Sequence, residues 1–271
     1  MLELEHHFRV VDVHARMEPA SNEIVTRGHA VTPEKLEREM HQAGVVKAVV
    51  FADSRPETSY LKSNNAVARM SVDRPFVAFA KINGPHKFST WPTTSLTNYA
   101  RRRKEYHTSP DDIEQYAWDK RFHGFTIDPA TDGLPDNEVL EQLESVDLPI
   151  IVHAGRKFPP QAVNHHLLKF DIPTILAHFG GYPLATDLMN DAIDLLDDHE
   201  RLYLDTAAVR DRAPLERALR EHPDRVLFGS GTPTVHPNVA VMEILTLDVP
   251  EDAMRRAFTK NPSRVIPELA P

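Results

Sequence analysis

The sequence predicts an α/β protein of the (β/α)8 TIM-barrel class, and three observations carry that prediction. Eight short apolar runs recur along the chain, with helical segments between nearly all of them. The length of 271 residues is close to the roughly 250 typical of such a barrel. The competing arrangement, an open doubly wound sheet, wants a glycine-rich phosphate loop after its first strand, and there Gly28 and Gly44 stand isolated.

The first strand runs from Phe8 to His14 and closes in Asp12-Val13-His14-Ala15-Arg16. Alternate strand residues share a face, so Asp12, His14 and Arg16 are expected to point the same way. Glu18 to Ala30 reads as a loop over this end, and Thr32-Pro33-Glu34 supplies an N-cap, a first-turn proline and an early acid for the first helix. Val45 to Phe51 is the second strand, Glu57 to Ser71 the next helix, and Pro75 to Ile82 the third strand. The rhythm then breaks. Residues 83–109 hold Gly84-Pro85, Trp91-Pro92 and the basic run Arg101 to Lys104, an insertion in what is otherwise one domain over 1–271. The basic run reads as a solvated helix face in preference to an anion-capturing patch.

Ser109-Pro110-Asp111-Asp112 starts another helix, Phe122 to Ile127 is the fourth strand ending in Asp128, and Asn137 to Val146 is helical. Two apolar runs follow, Pro149 to Gly155 and Pro173 to Gly181, with room for a helix over Pro159 to Phe170. This strand, helix, strand unit makes parallel neighbours, so His153 and His178 come to adjacent strand ends. In parallel α/β folds ligands gather at that edge. Leu184 to Asp198 is an amphipathic helix, Arg201 to Thr206 the seventh strand, Pro214 to Glu221 a helix and Arg225 to Ser230 the eighth strand. Helices over Pro237 to Leu247 and Glu251 to Thr259 close the chain.

A formal charge of -9 argues against a general binder of nucleic acid or anionic membrane. The chain lacks cysteine, which removes disulfides, thiolate metal sites and a cysteine nucleophile. Without a signal-like N-terminal run or a long apolar stretch, the expected location is cytoplasmic and the expected partner a small molecule, with a homo-oligomer left open.

In order, the strand ends read Asp12-x-His14, His153, Ala177-His178-x-Gly180-Gly181, Tyr203-Leu204-Asp205-Thr206 and Phe228-Gly229-Ser230-Gly231-Thr232-Pro233. This set, with the closing Lys260-Asn261-Pro262-Ser263-Arg264, resembles the amidohydrolase superfamily and its amidohydrolase-related branch of metal-dependent hydrolases and decarboxylases. The resemblance implies a divalent ion, zinc or manganese, held by a first-strand His-x-His, a fifth-strand histidine and an eighth-strand aspartate, with the sixth-strand histidine assisting catalysis. His14, His153 and His178 match that pattern. Arg16 stands where the second histidine belongs, and Gly231 where the aspartate belongs.

Two readings follow from the altered set. In the first, the chain is a hydrolase or decarboxylase of a small polar or carboxylated molecule. His178 transfers protons as general acid/base, Arg16 binds a substrate carboxylate or polarises a carbonyl, and His14 and His153 ligate any ion, with no organic cofactor. Asp12, Asp128 and His236 are candidate substrate contacts, and Asp53 and Asp205 are strand-end carboxylates read first as capping residues. In the second, the barrel has lost catalysis and serves binding or assembly. An open cavity lined by His14, Arg16, His153 and His178 favours the first; Arg16 locked to Asp12, Glu18 or Asp128 over a filled cavity favours the second. Gly229-Ser230-Gly231 lacks the Gly-x-Ser-x-Gly spacing of a serine nucleophile turn.

Overall fold

The computed structural model describes residues 6–17, 32–88 and 102–270. Eight parallel strands follow one another in sequence order: β1 (Val10–Arg16), β2 (Val45–Phe51), β3 (Phe76–Lys81), β4 (Phe122–Ile127), β5 (Ile150–Gly155), β6 (Thr174–Tyr182), β7 (Leu202–Asp205) and β8 (Val226–Leu227). The ring closes between β1 and β8. Val13 N donates to Phe228 O, Arg16 N to Thr232 O and Gly231 N to His14 O, each at 2.9 Å. The molecule is a (β/α)8 barrel.

β1, β2 and β5 carry runs of β-branched residues, as in Val10-Val11 and Ile150-Ile151-Val152, and β3 carries Phe76 and Phe79; both kinds of side chain pack well on a pleated surface. Alternation then divides the core. Val11, Val13, Val49, Phe51, Val77, Phe79, Ile151, Ile175 and Leu227 fill the barrel interior, together with Ile266 and Leu269 from the closing segment. The opposite strand faces pack outward on the helices in a second, larger layer. Gly124 makes room inside, since a Cβ there would come 2.4 Å from the Phe79 ring.

Helix starts follow their sequence signals. Thr32 accepts from Lys35 N, and Ser109 with Asp112 forms a complete capping box. Four helices are shorter than expected, at Leu61–Ser71, Pro160–His166, Thr186–Asp194 and Pro237–Leu245. Before the first, Glu57 has φ 54, which breaks helical continuity. The eighth strand is also short, because Phe228 to Thr232 hydrogen-bond with β1 in place of a longer β7 ladder. Asn83 and Thr108, at the two ends of the expected insertion, bind each other: Asn83 N donates to Thr108 Oγ1 at 3.0 Å and Thr108 N to Asn83 Oδ1 at 2.8 Å. Arg103 forms a fork on Asp136, so it holds a loop in place and does not belong to a solvated helix face. The Glu18 to Ala30 loop, Trp91-Pro92 and Arg101 lie outside the described residues. No helix among the described residues is long and apolar enough to cross a membrane.

Candidate active site

Plain alternation brings only one of the three histidines inward. Ile151 and His153 share a face of β5, so His153 reaches the cavity as the strand pattern dictates. The other two depend on breaks in the pattern. The register of β1 against β2 shifts between Asp12 and Ala15. Val11 and Val13 face the interior by alternation, and past the shift His14 and Arg16 line the cavity above them. In β6, Ile175 and Ala177 face inward, and the left-handed run His178 (φ 58), Phe179 (φ 51) and Gly180 (φ 67) then redirects the chain so that His178 follows them into the cavity. Left-handed non-glycine residues cost about 1–3 kcal/mol each, so surrounding bonds must hold this turn.

Asp205 at the end of β7 supplies those bonds. Its Oδ1 accepts from His178 N and from Ala207 N, both at 2.9 Å, and its Oδ2 lies 2.7 Å from His14 Nδ1. Burial alone would raise its pKa, but His14 and these N–H groups outweigh burial and hold Asp205 below the usual carboxylate range. An ionised carboxylate only accepts, so His14 carries its proton on Nδ1. His178 Nδ1 lies 2.7 Å from Ala207 O, a carbonyl that likewise only accepts. In both rings Nε2 is the nitrogen left for the cavity, and it offers a lone pair there when the ring is neutral.

The three rings are mutual neighbours, with centroids 5.0 Å apart for His14 and His153, 4.9 Å for His14 and His178 and 5.3 Å for His153 and His178. One nitrogen from each lies within 4.8 Å of the others. His153 Nε2 is buried with no hydrogen-bond partner. Desolvation, then the neighbouring positive charges, push the His153 pKa well down, and desolvation with His14 pushes His178 down to about 4. Imidazole is thus neutral at both positions near pH 7. Neutral rings with open lone pairs and one orphaned nitrogen fit a divalent ion. For His178 the same shift removes the near-neutral titration expected of a free general acid.

These side chains surround an open cavity of about 490 Å³. Arg16 is held at its edge, donating to Asp53 Oδ1 at 3.0 Å and Thr234 Oγ1 at 2.6 Å, so its charge is balanced by an aspartate other than those expected. Gly231, where the family pattern has an aspartate, has φ 74, and a Cβ there would come 3.2 Å from Ala208 N. Among the expected substrate contacts, only Asp128 lines the cavity, and both its oxygens cap the short Pro129–Asp132 helix through Ala130 N and Thr131 Oγ1. Asp12 does not point with His14. It is sealed behind the wall, where its Oδ1 accepts from His14 N and Ser230 N at 2.9 Å. His236 is a helix cap, its Nδ1 accepting from Asn238 N, and lies outside the cavity lining.

Sequence reasoning missed Lys81. It ends β3 inside the cavity, buried, with Nζ 3.0 Å from Asp132 Oδ2. Burial holds Asp132 above the usual carboxylate range even with this ammonium beside it, and Tyr60 and Ser54 donate to the same carboxylate. The available signal was a lysine closing an otherwise apolar strand, Phe76-Val77-Ala78-Phe79-Ala80-Lys81. Arg156 and Lys157, just past β5, also line the cavity. Four cationic side chains thus face two carboxylates, Asp53 and Asp128, in a chain whose overall charge is negative.

No curated protein sequence matches this chain. Solved structures share its fold. A 5-carboxyvanillate decarboxylase from Sphingomonas paucimobilis has a TM-score of 0.64 at 18% identity, covering 96% of this chain and 99% of that one. A 2,6-dihydroxybenzoate decarboxylase from Rhizobium has a TM-score of 0.65 at 13% identity, with 95% and 98% covered. A dihydroorotase has a TM-score of 0.64 at 18% identity, with 96% of this chain and 69% of that one covered. The family model described as amidohydrolase matches residues 11–267, nearly the whole barrel with its histidine strands, and the chain belongs to the amidohydrolase family.

Proposed function

We propose that this chain is an enzyme acting on a small carboxylated molecule, by hydrolysis or decarboxylation, at the cavity above its three histidines. The observation that carries the reading is the convergence of three imidazoles, with Nδ1 capped on two of them, beneath an open cavity with a cationic wall. His14, His153 and His178 would together hold zinc or manganese, His178 taking the place of the missing aspartate. Such an ion supplies Lewis acidity toward a carboxylate or carbonyl oxygen.

The chain's own groups do the rest. Arg16 uses two of its five N–H donors on Asp53 and Thr234, and its remaining donors suit a substrate carboxylate. Lys81 presents an ammonium from a desolvated position, where a hydrogen bond to substrate oxygen is stronger than in water. Arg156 and Lys157 steer an anion toward the mouth. Phe51, Phe158 and Tyr182 give the cavity apolar walls for the body of the molecule. The names of two structural neighbours, which act on aromatic carboxylates, agree with this reading. An inert binding barrel is the weaker alternative, because the cavity is open although Arg16 is paired.

The test is protein purified without chelator, assayed for metal and then against a panel of aromatic and aliphatic carboxylic acids, lactones and amides. Carbon dioxide release and hydrolytic product are measured separately. Near one metal per chain is expected, lost in His153→Ala, with turnover lost alongside and KM raised several-fold in Arg156→Ala/Lys157→Ala. Folded, metal-loaded protein that neither binds nor turns over any member of the panel would overturn the reading.

A further inference from the structure

The two oxygens of Asp205 have different partners, and the difference has a chemical consequence. Oδ1 is taken by two backbone donors, His178 N and Ala207 N. Oδ2 faces one group, His14 Nδ1 at 2.7 Å, with both side chains buried. Neither oxygen is available to a ligand, and Asp205 is not part of the cavity lining. We infer that Asp205 is a positioning residue that keeps the His14 proton on Nδ1 and so keeps an electron pair at Nε2 facing the cavity. The consequence for metal rests on the three-histidine reading above; the tautomer itself does not.

The backbone donors make the inference testable with an isosteric change. In Asp205→Asn, the position touching two N–H groups can only be the amide oxygen, because an NH2 there would face two donors. The amide NH2 must then occupy the other position and point at His14 Nδ1. A donor at that place requires a lone pair on Nδ1, which moves the ring proton to Nε2 and closes the electron pair the cavity needs. Shape and volume stay the same while the tautomer inverts.

The experiment is nitrogen-15 NMR of histidine-labelled protein without metal, followed by zinc titration against a chromophoric chelator. In the wild type the His14 proton is expected on Nδ1. In Asp205→Asn it is expected on Nε2, with zinc affinity lowered about 10- to 100-fold. A wild-type His14 protonated on Nε2 overturns the inference and needs no variant to be seen, so failure of Asp205→Asn to fold does not protect it. An unchanged tautomer in folded Asp205→Asn overturns it as well. Inversion of the tautomer in a protein that binds no zinc supports the role of Asp205 and overturns only the metal reading. Zinc binding of equal strength in both proteins, with the same tautomer, does the reverse.

Discussion

Asp12 on β1 and Asp205 on β7 are both fully buried, and in each one Oδ1 accepts from the backbone N–H two residues ahead and from a second N–H on another segment. Their second oxygens differ. Asp205 Oδ2 meets His14, whereas Asp12 Oδ2 is buried without a partner. Asp205 is held below the usual carboxylate range; Asp12 is pushed up to about 6 by desolvation, which the Ser230 side chain, the two N–H donors and the His14 charge only partly offset. The close His14 partner, absent from Asp12, separates a backbone-clasped carboxylate that is a stable anion from one that is an acid close to neutrality.

The largest effect should come from breaking the better-satisfied member. Asp205→Ala leaves three buried donors without an acceptor, His178 N, Ala207 N and His14 Nδ1, and should cost about 4 kcal/mol in denaturant unfolding. Asp12→Asn should act in the opposite direction at neutral pH, since it removes a buried charge while keeping the Oδ1 clasp. Its gain is up to about 3 kcal/mol at pH 8, from a shift of about two pKa units.

The pH dependence separates the pair further. Because the folded pKa of Asp12 lies above its unfolded value of 3.8, the folded state binds more protons between about pH 4 and 6. Its contribution to stability therefore falls as pH rises through that window and is flat in Asp12→Asn. Asp205 behaves in reverse, its contribution being present above the unfolded pKa and lost as pH falls below the ordinary carboxylate range. The change of slope that joins the two is expected from His14→Phe, which also leaves the buried Asp205 carboxylate without its side-chain partner. With its partner gone, Asp205 should lose its low-pH dependence and acquire a slope like that of Asp12 in unfolding curves taken from pH 4 to 8.

The barrel was legible in the sequence because its signals are local and repeated. Valine and isoleucine runs, caps such as Thr32 and Ser109, and prolines at first turns each state an element without reference to the rest of the chain. His14, His153, His178 and Arg16 were legible as cavity residues by their place at strand ends. What alternation could not supply was direction. It grouped Asp12 with His14, and the register shift in β1 separated them. It also gave no reason to rank Asp205 above Asp53 or Asp128, because the value of Asp205 lies in contacts to residues far away in sequence. Lys81 was missed for the same reason, its partner Asp132 lying on a helix after the next strand.

The seam between β1 and β8 sets a condition on how the chain is made. The first strand leaves the ribosome early, but its outer edge finds its partners only when residues near Phe228 and Thr232 have emerged. At synthesis rates of about 5–20 residues per second, that edge waits on the order of ten seconds or longer with unpaired N–H and C=O groups. Until then the β1 margin is an unpaired strand edge, and it is the surface that a folding helper would need to shield.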